Sequence, residues 1–366
     1  MDIKQLGWNA YFESHFEHCR GQGLVPARVV RAAGGFYTLL NDDGEQTATL
    51  TGQLRHASSL DALPAVGDWV AIDSPLEEGL RIHAVLPRKT ALKRAAAGGR
   101  KGLSEKPGVP QVLAANVDTA IIVSGLDNDY NPRRIERYLT LVHESGAAPI
   151  IVLNKADLCP DWKKLRAEVE AIAYGIPVLV TSAQRGEGLD ELAPHLEAGR
   201  TLVLIGSSGA GKSTLLNRLT RADHQRTSEV SPAVGKGVHT TTHRELFPLP
   251  GGALVIDTPG LRELHLWGES EAGLEITFPE IVSFAAQCRF SNCQHESEPE
   301  CGIRQALLDG TLDAARMESY LKQRAELASA TQRHELAAQV AQKRKRKTTP
   351  REEKRWRLED EDEYEQ

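Results

Sequence analysis

Hydrophobic positions along this chain fall into two regimes. From Leu24 to about Pro87 they come in short alternating stretches; from Val117 they come as continuous apolar runs separated by amphipathic segments. In the first regime Val25–Val30, Phe36–Leu40, Thr47–Leu50, Val66–Ile72 and Leu80–Val85 read as strands. Gly34-Gly35 and Asn41-Asp42-Asp43-Gly44 supply breaks and turns between them. About five such strands fit a small barrel of the OB type, although another small β-domain fits the same count.

In the second regime Thr119–Val123, Pro149–Leu153, Pro177–Val180, Leu202–Ile205 and Ala253–Ile256 are the apolar runs. Arg133–Glu144, Trp162–Tyr174 and Lys212–Arg221 read as helices. Strands apolar on both faces and alternating with helices imply a mostly parallel sheet covered on both sides. Past Leu264 the pattern turns helical and charged: Ile303–Leu308 and Leu312–Ala328 carry apolar residues at helical spacing, broken by Asp309-Gly310. The expected organisation is a multidomain α/β protein with a β-barrel. Residues 1–23 are an N-terminal extension and 24–88 the OB-fold. Residues 89–111, rich in Arg, Lys, Gly and Pro, are a basic linker. An α/β domain follows over 112–264, a helical domain over 265–335 and a charged tail over 336–366.

Composition changes this picture little. Of 366 residues, 40% are hydrophobic and 5% aromatic, which is globular. The net charge of −6 argues weakly against a nucleic-acid partner. Much of that excess sits in the acidic run Glu359–Glu365, after a basic run Lys343–Lys347; such like-charge blocks read as disordered tails. Folded surfaces are therefore free to be locally basic. No apolar stretch reaches the ~18–20 residues that cross a bilayer. Met1–Arg20 mixes charge with aromatics and lacks a secretory apolar core, so a cytoplasmic protein without membrane contact is expected.

The chemistry lies in four loops, each after an apolar run. Gly206-Ser207-Ser208-Gly209-Ala210-Gly211-Lys212-Ser213 fits the phosphate loop G-x-x-x-x-G-K-[ST]. Its glycines let backbone N–H groups wrap phosphates, Lys212 adds a point charge, and Ser213 offers a hydroxyl to Mg²⁺. Thr214, next in the chain, belongs with the phosphate-binding residues. Asn154-Lys155-Ala156-Asp157 fits the guanine-reading N-K-x-D element. The Asp157 carboxylate can accept from N1–H and the exocyclic amine of guanine, which adenine cannot satisfy. Lys155 can lie along the base, and Thr181-Ser182-Ala183 can close over guanine O6. Asp257-Thr258-Pro259-Gly260 places Asp257 for Mg²⁺ and the Gly260 N–H for a γ-phosphate. In ordinary small GTPases the phosphate loop precedes the base loop. Here the order is reversed, so the domain is circularly permuted, and Asp257–Gly260 leads directly into the C-terminal region.

Leu261 occupies the place where a Ras-like GTPase holds its water-orienting glutamine. Between phosphate loop and Asp257 runs Gly235-Lys236-Gly237-Val238-His239-Thr240-Thr241-Thr242-His243. Its threonines, Thr242 among them, are candidates for Mg²⁺, and His239 for positioning water; an ordinary loop histidine is the alternative. Five cysteines without a secretory segment do not suggest disulfides. Cys19 and Cys159 are isolated, whereas Cys288, Cys293, His295 and Cys301 offer the Cys₃His set of a structural zinc.

With these motifs the chain resembles the bacterial ribosome small-subunit-dependent GTPase A family. The resemblance covers most of the chain and rests on the barrel-like region, the permuted motif order, the Gly-Lys-Gly-Val-His-Thr-Thr-Thr segment and the Cys₃His knuckle. It implies an N-terminal OB-fold, a circularly permuted P-loop GTPase domain and a C-terminal zinc-binding helical domain. It also implies GTP hydrolysis to GDP during late maturation of the small (30S) ribosomal subunit, stimulated by that subunit, with the subunit and its 16S rRNA as partners and His239 in the switch. One structural zinc, Mg²⁺ with GTP and a monomeric chain are expected. The rival readings are a P-loop kinase or ATPase acting on a small substrate, and a signalling or translation-type GTPase with no ribosomal role.

Overall fold

The computed structural model describes residues 2–55, 62–73, 79–95, 110–220, 244–257, 271–333, 335–336 and 339. The first helix, α1 (Ala10–Gly21), starts at Asn9, whose side chain accepts from the Tyr11 N–H. Phe12 and Phe16, one turn apart, are buried together with Trp8. Trp8 and Phe12 set their rings 4.7 and 5.9 Å from that of Trp69. The N-terminal extension is thus packed against the barrel.

The barrel comprises β1 (Val25–Ala33), β2 (Phe36–Asn41), β3 (Gly44–Leu50), the short helix α2 (Gly52–Arg55), β4 (Trp69–Ile72) and β5 (Leu80–Val85). Its order β1-β2-β3-β5-β4 closes because β1 also pairs with β4; only β3 and β5 are parallel. A bulge between Val29 and Arg31 bends β1, so its first half serves β4 and its second half β2. Val29, Leu39, Val70, Ile72 and Ile82 fill the interior. The run Val66–Ile72 becomes a strand only from Trp69. Gly67 has φ +93° and a Cβ there would meet the Ala115 carbonyl at 2.1 Å, so the backbone turns at this point.

The ends of the stretch expected as a linker are paired: β6 (Ala91–Ala95) and β7 (Pro110–Ala115) run antiparallel. Next come β8 (Thr119–Gly125), α3 (Pro132–Ser145), β9 (Ala148–Asn154), α4 (Trp162–Ile172), β10 (Val178–Val180), β11 (Thr201–Ile205), α5 (Lys212–Thr220), β12 (Glu245–Pro248) and β13 (Leu254–Asp257). The strand order is β10-β9-β8-β11-β13-β12, parallel except for β12. Ala120 and Ile122 of β8 belong to one core, Ile121 and Val123 to the other, as a sheet covered on both faces requires.

Barrel and sheet are joined through β1. Arg31 pairs with Glu245 of β12. Arg28, fully buried, donates to the carbonyls of Leu6, Gly67 and Asn116 and, at 2.8 Å, to Thr201 Oγ1 at the start of β11. Burial pulls its guanidinium down to about 10, against the fields of Asp118 and Asp68, so it stays charged at neutral pH.

The C-terminal region is helical: α6 (Ala272–Thr277), α7 (Pro279–Ala285), α8 (Gly302–Leu308) and α9 (314–333). It docks on α3. A Cβ on Gly273 would meet Thr140 O and Glu144 N of α3 at 2.7 Å, so glycine sets the approach of α6. Glu136, with no exposure, accepts from Arg133 (2.5 Å), Arg316 (3.0 Å) and Ser319 (2.5 Å). Arg137 and Glu326 form a two-pronged pair at 2.7 Å. A buried carboxylate with this many donors is satisfied; stripped of them it would be costly.

Candidate functional site

Strands β8, β9, β10 and β11 all point their carboxyl ends the same way, so their following loops share one edge of the sheet. Ser207–Ala210 turn between β11 and α5, with Gly206, Gly209 and Gly211 at φ +147°, +85° and +94°. At Gly206 a Cβ would lie 2.2 Å from the Val123 carbonyl; at Gly211 it would lie 2.1 Å from Asn154 Nδ2. Only glycine allows these approaches. Lys212 opens α5, with Ser213 and Thr214 in its first turn. The Lys212 ammonium donates to the carbonyls of Gly206 (2.8 Å) and Ser207 (2.5 Å), which holds it across the loop.

Asn154, 2% exposed at the end of β9, joins three loops. Its Nδ2 donates to Ala210 O at 3.0 Å, and its Oδ1 accepts from the Ala183 N–H at 2.9 Å and Thr181 Oγ1 at 3.2 Å. Lys155 sits at φ +67°, a left-handed conformation that costs a non-glycine residue about 1–3 kcal/mol and persists only where the surroundings enforce it. Ala156 follows, its N–H bonded to Thr181 O at 3.1 Å. Asp157 accepts from Ser182 Oγ at 2.6 Å, with Arg185 at 3.9 Å from its other oxygen. That bond orients the carboxylate expected to read guanine. Asp257 ends β13, which runs parallel to β11 with Ile256 paired to Val203, so it lies toward the carboxyl end of β11 where the Gly206–Lys212 loop begins. His239, Thr242, Gly260 and Leu261 lie outside the described residues.

A second cluster occupies the C-terminal region. The ligand atoms of Cys288, Cys293, His295 and Cys301 all lie within 4.8 Å of one another. Cys288 Sγ is 3.8 Å from Cys301 Sγ and 3.6 Å from His295 Nδ1; Cys301 Sγ to Nδ1 is 3.4 Å. A tetrahedral centre with bonds of ~2.3 Å to sulfur and ~2.0–2.1 Å to nitrogen demands ligand edges of about 3.8 and 3.6 Å. The donor set therefore fits one tetrahedral metal ion. Burial lowers the His295 pKa, favouring the neutral imidazole that ligation needs. Glu298 accepts the N–H groups of Gln294, Glu296 and Ser297, which shapes the loop, and these bonds hold its carboxyl down at about 2.

A family model described as RsgA GTPase matches residues 85–267. The chain belongs to the RsgA GTPase family. It is a GTP hydrolase built on the circularly permuted fold. A curated relative from Syntrophotalea carbinolica, named small ribosomal subunit biogenesis GTPase RsgA, is 79% identical over 98% of this chain and 99% of its own length. Among solved structures, YjeQ from Thermotoga maritima is 31% identical, covering 83% of this chain and 99% of its own, with a TM-score of 0.60. A structure titled as YloQ, a circularly permuted GTPase, is 26% identical, covering 84% of this chain and 96% of its own, with a TM-score of 0.57.

Residues outside the sequence motifs also shape this edge of the sheet. Arg218 of α5 donates to the carbonyls of Ala183 (3.0 Å) and Gln184 (2.7 Å), tying the helix after the Gly206–Lys212 loop to the loop that follows β10. Asp127 and Asp129, between β8 and α3, bond Lys155 and Ser207. No local pattern announces any of these; each contact joins residues 28 or more positions apart. Among the described residues, no helix is long and apolar enough to cross a membrane.

Proposed function

We propose that this chain acts in late maturation of the small (30S) ribosomal subunit, hydrolysing GTP to GDP under stimulation by that subunit. The observation that carries the guanine site is Asn154, whose one side chain bonds the phosphate loop and the loop over the base. In this reading Gly206–Thr214 bind the phosphates, Asn154–Asp157 select guanine, and Thr181–Ala183 close over it. Ser213, Asp257 and Thr242 hold Mg²⁺, which when bound neutralises charge on the β- and γ-phosphates. Gly260 donates to the γ-phosphate. His239 orients the attacking water, since Leu261 cannot. The Cys₃His cluster holds zinc: thiolate-rich tetrahedral sites without a spare position are typical of structural zinc.

The ribosomal role is supported by relatives named for small-subunit biogenesis at up to 79% identity across nearly the whole chain. The partner surface is 16S rRNA, contacted by the barrel and the basic 89–111 stretch, in a cytoplasmic, monomeric protein. Co-sedimentation with purified small subunits in the presence of a non-hydrolysable GTP analogue tests this. Association should fall steeply as salt rises, because phosphate contacts release counterions. Co-sedimentation that is absent, or indifferent to salt, would overturn the rRNA reading.

A further inference from the structure

The turn joining β8 to α3 carries two carboxylates that belong to none of the nucleotide motifs. Leu126 extends the β8–β9 ladder by donating to Asn154 O at 2.8 Å, so the turn begins beside the base loop. Asp127 then uses both oxygens. Oδ1 accepts from the Asp129 N–H at 3.1 Å, folding the turn on itself; Oδ2 accepts from Lys155 Nζ at 2.6 Å. Gly125 lies beneath this contact. A Cβ there would meet Asp127 Oδ1 at 2.8 Å and Lys155 Cδ at 3.5 Å, so the pair sits directly on the strand. Asp129 reaches the other way: Ser207 Oγ of the phosphate loop donates to its Oδ2, and Arg134 donates to Oδ1 at 2.5 Å. Asn131 caps α3 through the Arg134 N–H at 3.1 Å, so the turn is fastened at its far end too.

Ionised carboxylates are acceptors only and are repelled by a polyphosphate, so neither is suited to touch the ligand's phosphates. Each is matched instead by a cation of the protein, Lys155 or Arg134. Their geometry serves the loops. We propose that Asp127 and Asp129 are positioning residues for guanine-nucleotide binding: Asp127 fixes Lys155 against the face of the base, and Asp129 sets the phosphate loop through Ser207. A single turn thereby registers the two ends of the nucleotide site against each other. This rests on the guanine-site reading above.

Double-mutant cycles on the full-length chain test it, with the GDP dissociation constant as readout and the melting midpoint of nucleotide-free protein measured in parallel. Asp127→Ala should weaken GDP about tenfold, as expected for losing a partly exposed charge-assisted hydrogen bond. Adding Lys155→Ala should then cost far less than it costs alone. Asp129→Ala and Ser207→Ala should show the same non-additivity. Losses that simply multiply within each pair would overturn the proposal. So would effects confined to the melting midpoint with GDP affinity unchanged, the mark of a purely structural role. Should an alanine variant fail to fold, Asp127→Asn and Asp129→Asn carry the test, and unchanged GDP affinity in both would overturn it. Wild-type protein that does not bind GDP would overturn the guanine-site reading itself, before any variant is made.

Discussion

Replacing Asn154 with alanine removes the one side chain common to the three nucleotide loops. The loss strands two buried backbone groups, the N–H of Ala183 (1% exposed) and the carbonyl of Ala210 (no exposure). Each unsatisfied buried group costs about 1–3 kcal/mol, whereas the Thr181 hydroxyl can rotate to another acceptor and adds little. A total of about 2–6 kcal/mol follows. Part of it appears in the nucleotide-free fold, at about 2–4 °C of melting midpoint per kcal/mol for a domain of this size. The remainder must be restored when nucleotide orders the loops, and if the whole total fell on binding it would weaken GDP by about 30-fold to about 2 × 10⁴-fold. Asn154→Asp should do no better. It keeps an acceptor for Ala183 but turns a second acceptor toward the Ala210 carbonyl, where the amide now donates at 3.0 Å. Calorimetric titration with GDP, beside a melting curve of the nucleotide-free protein, reads both portions. Affinity within about threefold of wild type, with an unchanged midpoint, would show that the three loops hold their places without Asn154 and refute the reasoning.

Three further outcomes are expected. Asp157→Asn should shift preference from GTP toward xanthosine triphosphate, because the new amide donates where the carboxylate oriented by Ser182 accepted; a competition assay in which wild type binds ATP as well as GTP would contradict the base assignment. Strong chelation should remove about one zinc per chain and loosen the 288–301 loop while GDP affinity holds; a metal-free chain with an unaltered melting curve would refute the zinc. His239→Ala should keep GTP binding but lose ~10²–10⁴-fold of turnover on small subunits; normal turnover there would move the water-positioning role to another group, such as one supplied by the subunit.

What could be read from the chain in advance was whatever is local. Glycine spacing at 206–211 announces a tight loop because the positive φ angles of Gly206, Gly209 and Gly211 are a local backbone demand. The five barrel strands appear near their expected places because alternation and turn residues are local as well. Closure of the barrel is not local: it pairs Val25–Arg28 with Trp69–Ile72, and no residue in either run names its partner. Likewise the pairing of Ala91–Ala95 with Pro110–Ala115 is hidden in a stretch whose composition says linker. The helix α1 was legible in principle, from Asn9 as a cap and Phe12 and Phe16 at helical spacing. Glu136 looks in sequence like a solvent-facing helix charge, yet it is fully buried because Arg316 and Ser319 arrive from 180 or more positions away. Asp127 and Asp129 are silent for the same reason: an aspartate in a turn is ordinarily explained by the turn alone.

The most direct test of the whole account is GTP turnover by the purified full-length chain, measured with and without purified small ribosomal subunits. The account predicts slow hydrolysis by the chain alone, since Leu261 cannot orient water, and marked acceleration on small subunits, with GTP preferred over ATP in both. Turnover unchanged by small subunits would contradict it.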